Sequence, residues 1–212
     1  MAGKSNCACC ARPILGSADG RRLCFCSASP RLSAYYRQVA TDVGAALASA
    51  GHTVLTGGGS RGAMGAVTAA ARAAGGATVG ILPTGLLDRE IPDPDTELHL
   101  VPSMERRKEL MGDRSDAFVV LPGGIGTLDE LFGEWANRAV DAHDKPIVIV
   151  DPDGLFTPLR QQIDLLAERG LVRESALTAV KWATSATDVV RLIPPSGTPR
   201  RGYEATIVVQ ES

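Results

Sequence analysis

An α/β fold built on an open parallel sheet is what this sequence predicts, on three observations. Short apolar runs alternate along the chain with helical stretches of about 10–15 residues, the pattern of successive strand–helix–strand units. Runs such as Phe118-Val119-Val120-Leu121 and Ile147-Val148-Ile149-Val150 are apolar at every position, as strands covered on both faces must be. Two glycine clusters stand directly between a strand and a helix, where open α/β sheets bind their ligands.

The elements follow in order. Residues 22–27 form the first strand, and 33–50 a helix that stops at Gly51. A second strand over 53–56 leads through glycines into an Ala-rich helix ending at Ala74. A third strand over 77–82 ends at Pro83, and 97–101 is a short fourth. Then come a helix over 104–114, a strand over 117–121 and a helix from Thr127 to about Val140. A strand over 146–150, a helix over 155–169, a weak strand near 177–181 and a helix from Thr187 complete the compact part. The expected organisation is a flexible Cys-containing tail over 1–20, one domain over 21–193, and a Pro/Gly linker and tail over 194–212, with 205–209 as a possible edge strand.

Composition excludes several classes. With 44% apolar and 22% charged residues in 212, wholesale disorder is excluded. A net charge of −2 argues against non-specific nucleic-acid or anionic-membrane binding. No apolar run approaches the roughly 18 residues of a membrane span, and no secretory pattern opens the chain. All five cysteines fall within the first 26 residues, an odd set that reads as reduced thiols of a cytoplasmic protein. Cys7 and Cys10 make one C-x-x-C with no second pair at finger spacing, so no metal is expected.

Glycine, 23 residues, is the excess that needs a reason. The first cluster is Gly57-Gly58-Gly59-Ser60-Arg61-Gly62-Ala63-Met64-Gly65, where glycine lets the backbone turn tightly and bring helix N-terminal N–H groups to an anion. Gly57, Gly59 and Gly62 also satisfy G-x-G-x-x-G. A dinucleotide site, however, wants an acidic residue about 20 positions on, and the next strand ends Ile81-Leu82-Pro83. The Lys-Ser or Lys-Thr of a Walker loop is missing as well. The second cluster, Pro122-Gly123-Gly124-Ile125-Gly126-Thr127-Leu128-Asp129-Glu130, offers another anion nest, with Thr127 placed to cap the helix. Thr127-x-x-Glu130 is also a capping box, which would give Glu130 a purely structural task.

A third segment weighs against that bland reading. Met104, Arg107, Lys108 and Met111 stand at i, i+3, i+4 and i+7, one helical stripe, with Glu105, Arg106 and Glu109 on the outer face. Two cations on an apolar stripe need a counter-charge, and a nucleotide phosphate or Glu130 would supply it.

GGGSRGAMG, M-x-x-R-K-x-x-M and PGGIGTLDE, in this order, resemble the LONELY GUY family of cytokinin riboside 5′-monophosphate phosphoribohydrolases, proteins often labelled lysine decarboxylases. The resemblance runs from about Leu23 to Leu192 and takes in Phe25-Cys26-Ser27, Leu87-Asp88-Arg89-Glu90-Ile91 and His143-Asp144-Lys145-Pro146. It implies a Rossmann-like sheet with helices on both faces, a homodimer, no cofactor, and hydrolysis of a nucleoside 5′-monophosphate to free base and ribose 5-phosphate. It also implies that Arg107 and Glu130 are catalytic. Glu90, Lys108, Gly123, Gly124, Gly126 and Thr127 would belong to the nucleotide site, beside the phosphate-sized loop of Gly57, Gly58, Gly59 and Gly62.

The chemistry agrees. Loss of a base from ribose passes through an oxocarbenium-like centre that a carboxylate such as Glu130 can stabilise. Arginine is a poor proton donor, so Arg107 would position rather than protonate. The chain departs from the family at Ser27 and Ala28 of the first-strand motif, at Ile125, and at Trp135, Ala136 and Asn137, which leaves the base open to purines or pyrimidines other than cytokinins, as in specialised metabolism. A non-catalytic nucleotide-binding protein is the alternative, and it would need neither Arg107 nor Glu130 in that arrangement.

Overall fold

The computed structural model describes residues 20–194. Its seven strands are β1 (Arg21–Phe25), β2 (Thr53–Thr56), β3 (Thr78–Pro83), β4 (Glu97–Val101), β5 (Ala117–Val120), β6 (Ile147–Val150) and β7 (Val180–Ala183). They form one sheet in the order β4-β3-β2-β1-β5-β6-β7, and every pairing is parallel. The helices are α1 (Ala34–Ser49), α2 (Gly62–Ala73), α3 (Met104–Asp113), α4 (Ile125–Ala139), α5 (Thr157–Glu168), α6 (Glu174–Ala179) and α7 (Ala186–Leu192). None is long and apolar enough to cross a membrane.

Side chains that alternate along each strand build two cores. In and just after β1, Cys24 and Cys26 join Val43, Leu47 and Val67 on the α1, α2 and α7 side. Leu23 and Phe25 face the other way, toward Met111, Leu131 and Trp135 under α3 and α4. Helices α1 and α2 approach closely because position 44 is glycine: a Cβ there would lie 2.2 Å from the Val67 carbonyl oxygen. Ser33 caps α1 by accepting from the Tyr36 N–H, and Gly51 ends it at φ 78°, in the left-handed region that glycine tolerates.

Three expectations need correction. The weak strand placed near 177–181 is the end of α6 followed by β7; Trp135 draws α6 inward by donating its indole N–H to the Ala176 carbonyl at 2.7 Å. Helix α4 begins at Ile125, with Gly124 and not Thr127 as its N-cap, so Thr127 lies inside the first turn, 3% exposed. Helix α5 begins at Thr157, two residues after the expected start, with Pro158 in its first turn, where a missing N–H is harmless. The tails and the 205–209 segment lie outside the described residues.

The chain reverses its direction of travel across the sheet between β1 and β5. Loops on the two sides of such a switch point diverge and leave a crevice beyond the strand ends.

Candidate active site

That crevice holds a cavity of about 240 Å³ between the β1 loop at Cys26–Ala28, Met64 of α2, Arg107 and Lys108 of α3, and Gly124, Gly126, Thr127 and Glu130 of α4. Glu90 closes one side and also lines a neighbouring cavity of about 330 Å³, with Ser60, Arg61 and Arg89. A third cavity, about 440 Å³, opens between α3 and α4 and shares Lys108, Asp129 and Glu130 with the first.

Arg107 is placed by three contacts. Ser103 caps α3 by accepting from the Arg106 N–H, which sets the helix start. The Arg107 Nε–H donates to the Ile81 carbonyl at the end of β3, 3.1 Å away. Its guanidinium then lies over Gly57, where a Cβ would come within 2.0 Å of Nη2. Nη1 ends 3.7 Å from Glu130 Oε1. The α3 stripe is therefore only half interior: Arg107 and Met111 are buried, while Met104 and Lys108 stand at the rim. Lys108 Nζ pairs there with Asp129 Oδ2 at 2.5 Å.

Glu130 turns toward Arg107 from within α4, and the helix start has no side-chain cap, so no capping box forms. Burial pushes its carboxyl up from the usual 4.5 to about 7; Arg107 and Lys108 pull it down, and Asp129 and Glu90 push it further up. A guanidinium at 3.7 Å from a largely buried carboxyl does not repay the loss of hydration. The Cys26 thiol, buried beside the same carboxylates, is likewise raised well above its usual value, which leaves it a neutral wall.

The two glycine loops turn out to differ. In the first, five N–H groups are already used: Gly58 donates to Thr56 Oγ1, Gly59 to Met64 Sδ, Ser60 to the Ile91 carbonyl, and Ala63 and Met64 to the Ser27 carbonyl. The β1 loop thus takes up part of the start of α2 and makes this the more crowded of the two loops. Gly57 and Gly59 instead make room for Arg107 and for Glu90, whose Oε2 lies 3.2 Å from a Cβ built on Gly59. Gly58 (φ 84°) packs on Gly80 and Leu98, away from the cavity, and Gly62 (φ 62°) packs on the Ser27 and Ser29 carbonyls. In the second loop, the N–H groups of Ile125 and Gly126 have no acceptor among the described residues. A Cβ on Gly124 or Gly126 would meet open space, and Gly123 lies under Thr127 Oγ1. With open space beside its glycines, this helix start is the more accessible of the two to an anion.

Arg107, Glu130, Lys108, Glu90, Gly124, Gly126 and Thr127 thus share one cavity, with Gly57, Gly59 and Gly123 shaping its walls. Glu90 Oε2 is buried with no hydrogen-bond partner among the described residues. Sequence reading missed Asp93, which is 5% exposed and accepts from Thr68 Oγ1 at 2.8 Å and Arg72 Nη1 at 2.9 Å. Its N–H donates to the Gly58 carbonyl, so it pins the segment carrying Glu90 to the first glycine loop.

A family described as possible lysine decarboxylase matches residues 64–193. A cytokinin riboside 5′-monophosphate phosphoribohydrolase of Mycobacterium tuberculosis is 47% identical over 173 residues, 81% of this chain and 92% of that protein. One of that name from Arabidopsis thaliana is 37% identical, covering 81% of this chain and 80% of its own. Among solved structures, the molybdenum cofactor binding protein of Rippkaea orientalis superposes with a TM-score of 0.64 over 82% of this chain and 94% of that one; at 21% identity the likeness is one of fold.

Proposed function

The chain belongs to the LONELY GUY family of cytokinin riboside 5′-monophosphate phosphoribohydrolases, and from that premise we propose that it hydrolyses a nucleoside 5′-monophosphate to free base and ribose 5-phosphate. The observation that carries the proposal is a buried carboxylate, Glu130, held beside Arg107 roughly one helical turn beyond unpaired N–H groups. The 5′-phosphate sits on the N–H groups at Gly124–Gly126, with Gly123 and Thr127 shaping the loop and Lys108 at the rim. Glu90 Oε2 takes a ribose hydroxyl. Ionised Glu130 then faces C1′, where positive charge develops as the C–N bond breaks. Water adds to C1′ and loses a proton, and the departing base leaves protonated. Arg107 cannot supply that proton at ordinary pH, so it orients Glu130 and balances its charge.

Decarboxylation through a lysine-bound cofactor is disfavoured by the lysines within 20–194. Lys108 pairs with Asp129, Lys145 donates to the Gly112 carbonyl, and Lys181 donates to the Leu192 carbonyl. We place the protein in the cytoplasm as a homodimer, acting on free nucleotides and not on nucleic acid. The exposed Ile125, Phe132 and Val140 along α4 support the dimer.

The test is incubation with a panel of nucleoside 5′-monophosphates, N6-substituted adenosines included, with free base measured by chromatography. Release of base from at least one supports the hydrolase. Tight binding of a monophosphate without cleavage would favour the nucleotide-binding alternative.

A further inference from the structure

The motif His143-Asp144-Lys145-Pro146 has no part in the chemistry above, yet its side chains grip both helices of the site. Arg107 and Glu130 stand on α3 and α4, which a cavity of about 440 Å³ separates along much of their facing sides. Their meeting therefore depends on what fixes α3. Hydrophobic burial does little, because only Arg107 and Met111 of its ten residues are buried and Arg107 is charged. Ser103 caps its start. Just past its end, Arg114 Nη1 lies 3.3 Å from His99 Nε2 of β4, on the flank away from α4. On the flank toward α4 the exposed Lys108–Asp129 pair adds little. The firm anchor on that side is Lys145.

Lys145 Nζ donates to the Gly112 carbonyl in the last turn of α3 at 2.6 Å, and the Ser115 N–H shares this acceptor. A cation there also faces the negative end of the helix. The ammonium lies 5.8 Å from the ring centroid of Phe118, which is fully buried in β5, so the anchor stands on the sheet. The Lys145 N–H donates to His143 Nδ1 at 3.2 Å, which leaves the ring proton on Nε2. Nε2–H donates to Glu134 Oε2 of α4 at 3.1 Å. Glu134 in turn lies against α3, since a Cβ on Gly112 would come within 2.9 Å of its Oε1. One short turn thus holds α3 through Lys145 and α4 through His143. Arg107 precedes Gly112 by five residues, about 8 Å along the axis, so a tilt at the far end moves its guanidinium relative to Glu130.

We infer that Lys145, set by His143, is a positioning residue that holds α3 so that Arg107 keeps its place between the Ile81 carbonyl and Glu130. Its effect on turnover rests on the hydrolase reading above; its effect on Arg107 does not. Were the two residues only fastening the 140–146 loop, Arg107 would be indifferent to them.

Lys145→Met keeps an apolar stem and removes the donor, whereas Lys145→Arg keeps a cation able to reach the same carbonyl. The Arg107 Nε–H, bonded to the Ile81 carbonyl, is followed by its exchange with solvent in proton–nitrogen NMR, and Arg107→Lys identifies its signal. Lys145→Met is expected to speed that exchange about tenfold or more, Lys145→Arg to leave it near the wild-type rate, and the β5 amides to be unchanged in both. In turnover, Lys145→Met lowers kcat about tenfold or more and changes KM less, and Lys145→Arg restores most of the loss. The loss disappears when Arg107 is already replaced by alanine, because the effect runs through that side chain. An unchanged Arg107 exchange rate in Lys145→Met overturns the inference, as does an equal loss of kcat with and without Arg107. Faster exchange at the β5 amides as well would make Lys145 a residue of overall stability and overturns it too. If no monophosphate is cleaved, the hydrolase reading falls, and the Arg107 exchange rate still decides the role of Lys145.

Discussion

At the scale of single residues, the protonation of Glu130 is set by a contest that burial wins over a guanidinium 3.7 Å away. If the ionised form is the working one, turnover rises with pH through about 7 and then levels. Glu130→Gln removes that limb and lowers kcat by about 100-fold or more; a pH–rate profile reads both, and full turnover in the variant would leave Glu130 a structural residue only. The same shift affects stability. A carboxyl raised in the folded state binds more protons folded than unfolded between 4.5 and about 7, so stability falls as pH rises through that window. The full rise corresponds to about 3 kcal/mol. Glu130→Gln should therefore resist urea better than wild type at pH 8, with the gap closing toward pH 4.5. Gly57→Ala tests Arg107 without touching it: the Cβ, 2.0 Å from Nη2, displaces the guanidinium. Its expected signature is a fall in kcat of about tenfold or more with little change in far-UV circular dichroism.

At the scale of elements, two loops of similar composition have been given different work by their neighbours. The Ser27 carbonyl occupies two N–H groups at the start of α2, whereas the start of α4 is open beside Gly124 and Gly126. Gly123→Ala would drive a Cβ to 2.1 Å from Thr127 Oγ1 and distort the second loop. A rise in KM exceeding the fall in kcat is expected, since the loss falls on phosphate binding. The segment between β3 and β4 depends on Asp93. Burial pushes its carboxyl up, but hydrogen bonds from Arg72, Thr68 and the Asp95 N–H outweigh that and hold it below 3.8. Its contribution is thus present above the ordinary carboxylate range and lost on acidification. Asp93→Ala leaves Arg72 without its buried partner, and a loss of about 3 kcal/mol by urea denaturation is expected, with a raised KM because Glu90 loses its anchor.

At the scale of the whole molecule, the switch point between β1 and β5 gathers the candidate-site side chains of α2, α3 and α4 at one end of the sheet, and α4 also carries exposed apolar side chains. Phe132→Glu, 43% exposed in the monomer, is expected to shift the protein to monomers in light scattering and to leave the fold intact. A dimer that persists unchanged would place the interface elsewhere. The order of strands and helices was legible because burial writes a period into sequence: all-apolar runs for β5 and β6, spaced apolar faces for the long helices. Short α6 escaped, since six residues show less than two turns of period and its place depends on Trp135, 41 positions away. The candidate site was legible as three motifs whose glycines, carboxylate and arginine have few reasons to occur together. Sequence by itself determined that these residues exist at the ends of strands and the starts of helices. Tertiary structure alone decided which helix start is the more open, that Arg107 reaches Glu130 across Gly57, and that Glu130 is held near neutrality. Each of those outcomes depends on a carbonyl, a cavity wall or a loss of water contributed by residues far away in the chain, which local pattern does not record.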